Sequence, residues 1–269
     1  SLTQAYANAQ GAVLAPAHAY PFFKTAAHLA QARFDTAAEM NGQVSVDALL
    51  DAVQPDTRLV FVANPGNPTG TRISRSELLR LREGLRDDIL LVIDEAYGEF
   101  ADHFGEPMFD LVARGDTVVL RTFSKAYGLA GMRVGWGAFP EHIVKHVRKV
   151  MNPNNVSVAG QAAAFAAIKD HAYMRATCQS TARARDTFIR RLRCSGDNVT
   201  ESFTNFALIC FDSSEAATRA DKALKSEGIF LRPQHGAGLP NCLRVTVGQA
   251  DDMNKTAVLL ERLAKEKHR

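Results

Sequence analysis

The sequence predicts an α/β protein, a mostly parallel sheet flanked by helices, with a smaller C-terminal α+β domain. Three observations carry this reading. From the start to about residue 137, short β-branched apolar runs alternate with helix-like segments, and continuous apolar strands separated by helices make a parallel sheet covered on both faces. After Glu141 the character changes to long polar and Ala-rich helical segments followed by spaced strands. Finally, 269 residues, 46% hydrophobic and 23% charged, are ordinary globular composition and more chain than one compact core usually holds. The expected division is a large domain over residues 1–140, then a linker helix and small domain over residues 141–269.

The elements follow in order. The chain reads as helical from Ser1, and residues 11–15, 31–35, 58–62, 89–94, 117–122 and 133–137 read as strands. Ser74-Arg75-Ser76-Glu77 is a capping box, after which Leu78, Leu81 and Leu85 recur at helical spacing. Around them Arg80, Arg82, Glu83, Arg86 and Asp87 alternate in sign as on a solvated helix face. Beyond Glu141 come a basic helix through Arg148, a turn at 152–155, an Ala-rich helix near 160–168 and a long polar helix to about Arg193. Residues 203–211, 229–232 and 243–247 read as strands, with one helix stopped by Gly228 and another over 251–265.

Composition excludes several classes of function. Thirty-two Lys+Arg against 29 Asp+Glu, a net charge of +3, is no polybasic footprint, so nucleic acid is not the expected partner. The longest dense apolar stretch, 89–93, has the length of a buried strand and not of a membrane helix. Cys178, Cys194, Cys210 and Cys242 are widely spaced without a C-x-x-C pair, so neither a disulfide framework nor a zinc site is expected and a reducing cytoplasm fits best. His142 and His146 have the i, i+4 spacing of metal ligands, but no H-E-x-x-H acid accompanies them and a solvated helix face is the better reading.

The unusual residues gather where three predicted strands end, and ligands of such sheets sit at the carboxyl ends of strands. Strand 58–62 runs into Asn64-Pro65-Gly66-Asn67-Pro68-Thr69-Gly70, a tight loop by its turn formers. Strand 89–94 ends in Asp94-Glu95-Ala96-Tyr97, where the acid is either a site carboxylate or a helix N-cap. Strand 117–122 leads into Ser124-Lys125 within a Gly- and Ala-rich loop, with Arg133 eight positions after the lysine. Small residues there let the backbone come close to a ligand. Together these loops supply an amine, an acid, amide and hydroxyl donors and a guanidinium, which is the kit for holding pyridoxal 5'-phosphate.

The order and spelling of NPGNPTG (64–70), DEAY (94–97), RTFSKAYGLAGMRVG (121–135) and RPQHGAGLPNCLRVTVG (232–248) resemble fold-type I aminotransferases, in the branch of histidinol-phosphate aminotransferase. The resemblance covers nearly the whole chain. It implies the large domain of a pyridoxal-phosphate-dependent transferase, with Lys125 as the Schiff-base lysine and Asp94 paired to the pyridine nitrogen. It further implies Asn67 and Tyr97 as donors to the ring hydroxyl, Arg133 with Thr122 and Ser124 at the cofactor phosphate, and Tyr20 stacked on the ring. Lys125, Asp94 and Tyr97 are thus the expected catalytic set. Phe22 and Phe23 read as core, and His18 as a structural histidine near the site.

Arg244 stands inside an otherwise apolar strand, where an unpaired charge is costly. A buried salt bridge would satisfy it; the resemblance makes it instead the arginine that receives a substrate's carboxylate or phosphate, with Arg232 as a second anion contact. The family often has a tyrosine where Ala237 stands, which leaves the substrate less defined than the cofactor. The implied reaction exchanges the amine of a donor, histidinol phosphate first and an aromatic amino acid next, with a 2-oxo acid such as 2-oxoglutarate, in a homodimer. Two rivals stay open: a decarboxylase of the same fold acting on a threonine-phosphate type substrate, and a shortened non-catalytic binding or assembly module. The resemblance also implies that an arm and a phosphate-binding turn precede the segment matching Ser1–Asn8 in relatives, so the site is expected to be incomplete.

Overall fold

The computed structural model describes residues 1–102 and 107–267. Its larger sheet has six strands, β1 (Ala12–Pro16), β2 (Arg33–Ala37), β5 (Thr57–Ala63), β6 (Leu90–Asp94), β7 (Thr117–Thr122) and β8 (Gly135–Ala138), in the order β2-β1-β5-β6-β7-β8. All neighbours are parallel except β7 and β8. That antiparallel pair follows from the sequence between them: residues 123–134 contain only one short 3₁₀ turn, too little to build a right-handed crossover. A short hairpin, β3 (Glu39–Met40) with β4 (Gln43–Val44), is not among the expected elements; it turns on Asn41 and Gly42, both at positive φ, the pair that two-residue hairpin turns favour.

Alternate residues of the central strands feed two separate cores, as the two-residue strand period requires. Val60, Val62, Leu91, Ile93 and Val119 pack under α3 (Val46–Asp51) and α4 (Arg75–Gly84), with Leu78, Leu81 and Leu85. Leu59, Phe61, Leu90, Val92 and Val118 face α1 (Leu2–Tyr6), α2 (Phe22–Leu29) and α6 (Glu141–Val150). The capping residue Ser74 accepts the Glu77 N–H at 3.2 Å. Glu77 turns to Arg80 instead of completing the box.

The second sheet is antiparallel, in the order β11 (Arg232–Gln234), β12 (Leu239–Thr246), β10 (Phe206–Cys210) and β9 (Asn198–Val199). It packs on α8 (His171–Cys194), α9 (Ser214–Ser226) and α10 (Ala250–Lys267) through Phe188, Leu192, Leu224, Ala257 and Leu260. The short helix α5 (Gly98–Ala101) follows β6, and α7 (Val158–Lys169) joins α6 to α8.

Four expectations are corrected. The strand expected at 229–232 begins only at Arg232. Phe22 is exposed at the start of α2 while Phe23 enters the core, since successive residues of a helix point about 100° apart. Cys210 and Cys242 are disulfide-bonded opposite one another in β10 and β12, with Cα atoms 4.2 Å apart; spacing along the chain says nothing of register across a sheet. Arg82 is fully buried. Its guanidinium donates to the carbonyls of Ile89, Leu85, Arg86 and Asp116 at 2.7–3.2 Å, and so ties the end of α4 to the strand β6.

Arg82→Met is therefore expected to cost about 3–5 kcal/mol, because it keeps the stem but orphans buried carbonyls. Denaturant unfolding measures it, and a loss below about 1 kcal/mol would show that those carbonyls find other partners.

Candidate active site

The site is built at the carboxyl ends of β5, β6 and β7. After β5, Asn64 closes the loop on itself: its side chain donates to Ile73 O and accepts from Ile73 N. Gly66 N–H donates to Thr71 O at 2.8 Å. Gly70, at φ +78°, passes so close to Ser202 that a Cβ would lie 2.6 Å from its hydroxyl. Thr200 and the Phe203 N–H donate to Thr69 O and Gly70 O. The loop is thereby docked on the segment that leads into β10.

This docking aims Asn67 at β12. Arg244 Nη1 donates to Asn67 Oδ1 at 2.5 Å, which leaves the amide NH₂ as a donor. The Arg244 guanidinium lies over the Phe206 ring at 4.6 Å, and Phe206 in turn meets Tyr97 edge-on at 5.2 Å. Arg244 Nε is buried without a partner. Burial lowers the pKa of Arg244, and Arg232, its cross-strand neighbour, adds to that. Like charges directly opposite on paired strands repel, so the two guanidiniums are suited to an anion between them.

Asp94 ends β6, where its Oδ1 accepts the Ala96 N–H at 3.0 Å. That bond closes a turn and does not cap the helix that follows, whose N-cap is Tyr97. Burial pushes the Asp94 carboxyl up to about 6, against the pull of the Ala96 N–H and of Lys125. Tyr97 is buried, with its phenol raised by burial and set among Arg244, Asp94, Tyr20 and Arg232.

Lys125 Nζ lies 5.4 Å from the centre of the Tyr97 ring. Its pKa is lowered, first by burial and then by Arg244, Arg133 and Arg232, with Asp94 opposing. The loop around it is shaped by bonds from Gly128 N to Lys125 O and from Leu129 N to Phe123 O. Gly128 has φ +69°, which a side chain would strain.

The remaining residues are placed less uniformly. Arg133 sits at φ +55°, with Nη1 on Ala130 O at 2.6 Å and the rest of the guanidinium exposed. Thr122 is occupied within the loop, donating to Val134 O and accepting the Ser124 N–H; the Ser124 hydroxyl has no hydrogen bond among the described residues. Tyr20 is 39% exposed and rests its ring on Phe23 and Phe22. His18 is structural, its Nδ1 2.8 Å from Ala237 O and its N–H on Glu39. Beside Tyr20 a cleft of about 350 Å³ reaches Lys24, His28, Gly236 and Ala237. His146 meets Tyr6 OH at 3.0 Å on the α6 surface, well apart from these groups in the fold.

Sequence reasoning overlooked Phe206, the shared floor of Arg244 and Tyr97, and a buried ionic cluster around Arg121. Arg121 had a signal, since it interrupts an apolar strand as Arg244 does. The donor set suits a phosphorylated pyridine aldehyde: an amine of lowered pKa, a buried acid, a free amide NH₂, a phenol and exposed cation. The Arg244 Nε, buried without a partner, adds an unmet donor.

Residues 1–263 match the family model for aminotransferase class I and II. The chain is 39% identical over 262 residues to a histidinol-phosphate aminotransferase of Jannaschia sp., covering 97% of this chain and 73% of the relative. It is 42% identical over 260 residues to one of Rhodospirillum centenum, covering 95% and 72%. Among solved structures, histidinol-phosphate aminotransferase from Sinorhizobium meliloti, in complex with pyridoxal-5'-phosphate, superposes with a TM-score of 0.92 at 28% identity over 99% of this chain and 74% of that one. An aspartate aminotransferase variant of Thermus thermophilus shares the fold, with a TM-score of 0.87 at 19% identity.

The raised Asp94 pKa has a consequence for stability. Between about pH 4, where a free aspartate titrates, and about pH 6, the folded chain holds a proton that the unfolded chain has released, so stability falls as pH rises through that window. Asp94→Asn, which keeps the acceptor for Ala96 N–H, is expected to stabilise the cofactor-free protein by about 1–3 kcal/mol at pH 7 and far less below pH 4. Thermal unfolding at both pH values checks it, and a destabilised variant at pH 7 would contradict the argument.

Proposed function

The chain belongs to the aminotransferase class I and II family, and from that footing we propose that it transfers the amino group of histidinol phosphate to a 2-oxo acid such as 2-oxoglutarate, with pyridoxal 5'-phosphate as cofactor. The observation that carries this reading is the convergence of Lys125, Asp94, Tyr97, Asn67, Arg232 and Arg244 from both sheets on one place. When bound, the cofactor supplies an electron sink for the charge that develops at the donor's Cα.

In this reading Lys125 would hold the cofactor, and its amine, of lowered pKa, would move the proton at the donor's Cα, which is general acid–base work. Asp94 would accept a hydrogen bond from the pyridine N–H and hold that proton. Asn67 Nδ2 and the Tyr97 hydroxyl would donate to the ring hydroxyl oxygen. Arg133, with the Ser124 hydroxyl and Thr122, would hold the cofactor phosphate, and Tyr20 would lie against the ring. Arg244 orients the substrate so that the breaking Cα–H bond is aligned. Arg232 beside it supports a donor with its own anionic group, and the relatives named for histidinol phosphate support that donor.

The division into a cofactor-binding part over residues 1–140 and a smaller part over residues 141–269 belongs to the same proposal, as does a cytoplasmic homodimer. No helix among the described residues is long and apolar enough to cross a membrane. Val158, Phe165 and Tyr173 are largely exposed on α7 and α8, and an apolar surface of that kind supports burial against a second copy.

Incubation with pyridoxal phosphate, borohydride reduction and peptide mapping are expected to place a pyridoxyl adduct on Lys125; an adduct elsewhere, or none, overturns the assignment. Arg244→Ala is expected to raise KM for anionic donors by about 10- to 150-fold, the loss of a charge-assisted hydrogen bond of about 1.5–3 kcal/mol. A wild-type enzyme equally active on donors without any anionic group would remove that role.

A further inference from the structure

Behind the site lies a buried ionic cluster to which the proposed reaction gives no task. Arg121, in β7, is buried; its Nε and Nη2 donate to Glu95 Oε2 at 2.9 and 2.7 Å, and its Nη1 and Nη2 donate to Asp102 at 2.9 and 2.8 Å. Glu99 lies 3.4 Å from Nη1. The second Glu95 oxygen accepts the Met108 N–H at 3.2 Å. Phe109 covers the guanidinium, its ring centre 5.1 Å away. A Cβ on residue 98 would lie 2.7 Å from Arg121 Cζ, so α5 reaches the arginine only because Gly98 has no side chain.

Three carboxylates around one guanidinium in a buried place are expensive to keep. Burial is the main cause that raises Glu99 to about 7, and one Glu99 oxygen has no partner. Stability is a poor account of such a cluster, because well-packed apolar residues of similar volume often do as well or better. Its position suggests another task. Glu95 directly follows Asp94, and Arg121 is the next-to-last residue of β7, one position before the strand end from which the loop with Lys125 leaves. The Glu95 N–H also donates to Leu120 O at 2.8 Å, so one residue grips β7 by both backbone and side chain.

We propose that the Arg121–Glu95 pair is the positioning device of the site, tying the end of β6 to the end of β7 so that the Asp94 carboxylate and the Lys125 amine keep a fixed relation. The proposal rests on the reading of Asp94 and Lys125 as cofactor residues. Neither Arg121 nor Glu95 touches substrate or cofactor in it; both act through their neighbours. The ionisable groups that face Asp94 are Glu95, Lys125 and Tyr97. Those that face the cluster are Glu99 and Asp102 at α5, Tyr127 in the lysine loop and Cys178 on α8, with Arg72 and Arg75 lining a cavity shared with Glu95 and Asp102.

The two sides of the guanidinium differ, and that difference supplies the test. Glu95 is buried beside Asp94, whereas the Asp102 side chain is 38% exposed on the far side. Glu95→Gln and Asp102→Asn each neutralise one carboxylate of the same arginine with little change of shape. Glu95→Gln is expected to weaken pyridoxal phosphate binding about ten-fold or more and to lower kcat more than KM, since a small misplacement of reacting groups is costly. It is also expected to move the pH of the bound cofactor's absorbance change downward by roughly half a unit, because a negative charge next to Asp94 has been removed.

Asp102→Asn is expected to lower Tm while leaving cofactor affinity within about two-fold and the absorbance titration in place, being on the solvent side. Arg121→Lys, which keeps the charge but not the two-sided fork, should weaken cofactor binding as Glu95→Gln does. Equal effects of Glu95→Gln and Asp102→Asn on cofactor affinity and titration, or a Glu95→Gln that loses only Tm, would overturn the positioning role. A wild-type chain that forms no Lys125 adduct overturns the functional reading itself, so the two failures are separable.

Discussion

A short hydrogen bond, from Arg244 in β12 to Asn67 in the loop after β5, joins residues 177 positions apart and links the two sheets at the site. Much depends on it. Asn67 has its carbonyl end taken by the guanidinium, so its NH₂ end is left to donate. The loop that carries Asn67 is held from the same side by Thr200 and Phe203. Phe206 supports the arginine from below and Tyr97 from the side, so the contact also seats an aromatic residue of the larger sheet's loop. Removing an arginine from water is repaid only when its donors are met and its face is covered, and here one donor stays unmet.

The electrostatics of the site share one direction. Burial raises the Asp94 carboxyl, lowers the Lys125 amine and lowers the Arg244 guanidinium. Each group is thus held where its charged form is least comfortable, and each is a group whose charge a ligand of opposite sign would relieve. Such an arrangement spends stability for function. The apolar cores on the two faces of the larger sheet offset that cost.

Much of this was legible from residue types in order. Strands of continuous Val, Leu and Ile can only be doubly covered, which placed β5, β6 and β7 and hence the loops at their ends. Lys125 and Asp94 stand out because unusual residues coincide with strand ends, whereas Asn67 and Tyr97 follow from the family resemblance. What stayed hidden is what depends on contacts between distant segments. Arg82 looks like one of several alternating charges until the strand end it caps is in place. Cys210 and Cys242 become neighbours only through the register of β10 on β12. Phe206 is one apolar residue among many in its strand, and only the approach of Arg244 and Tyr97 singles it out.

The reversal of β8 has a further meaning for the lysine loop. Because Thr122 and Gly135 are paired across β7 and β8, residues 123–134 leave the sheet and return to it at adjacent points, a closed excursion and not a passage from one element to the next. The entropy of bringing its ends together is settled when the sheet forms. Internal bonds from Phe123 to Val134 and from Leu129 to Phe123 then remove most of the freedom that is left. A ligand arriving at Lys125, as the proposed function requires, would meet a loop already ordered, and its binding energy would be available for affinity instead of for arranging the chain.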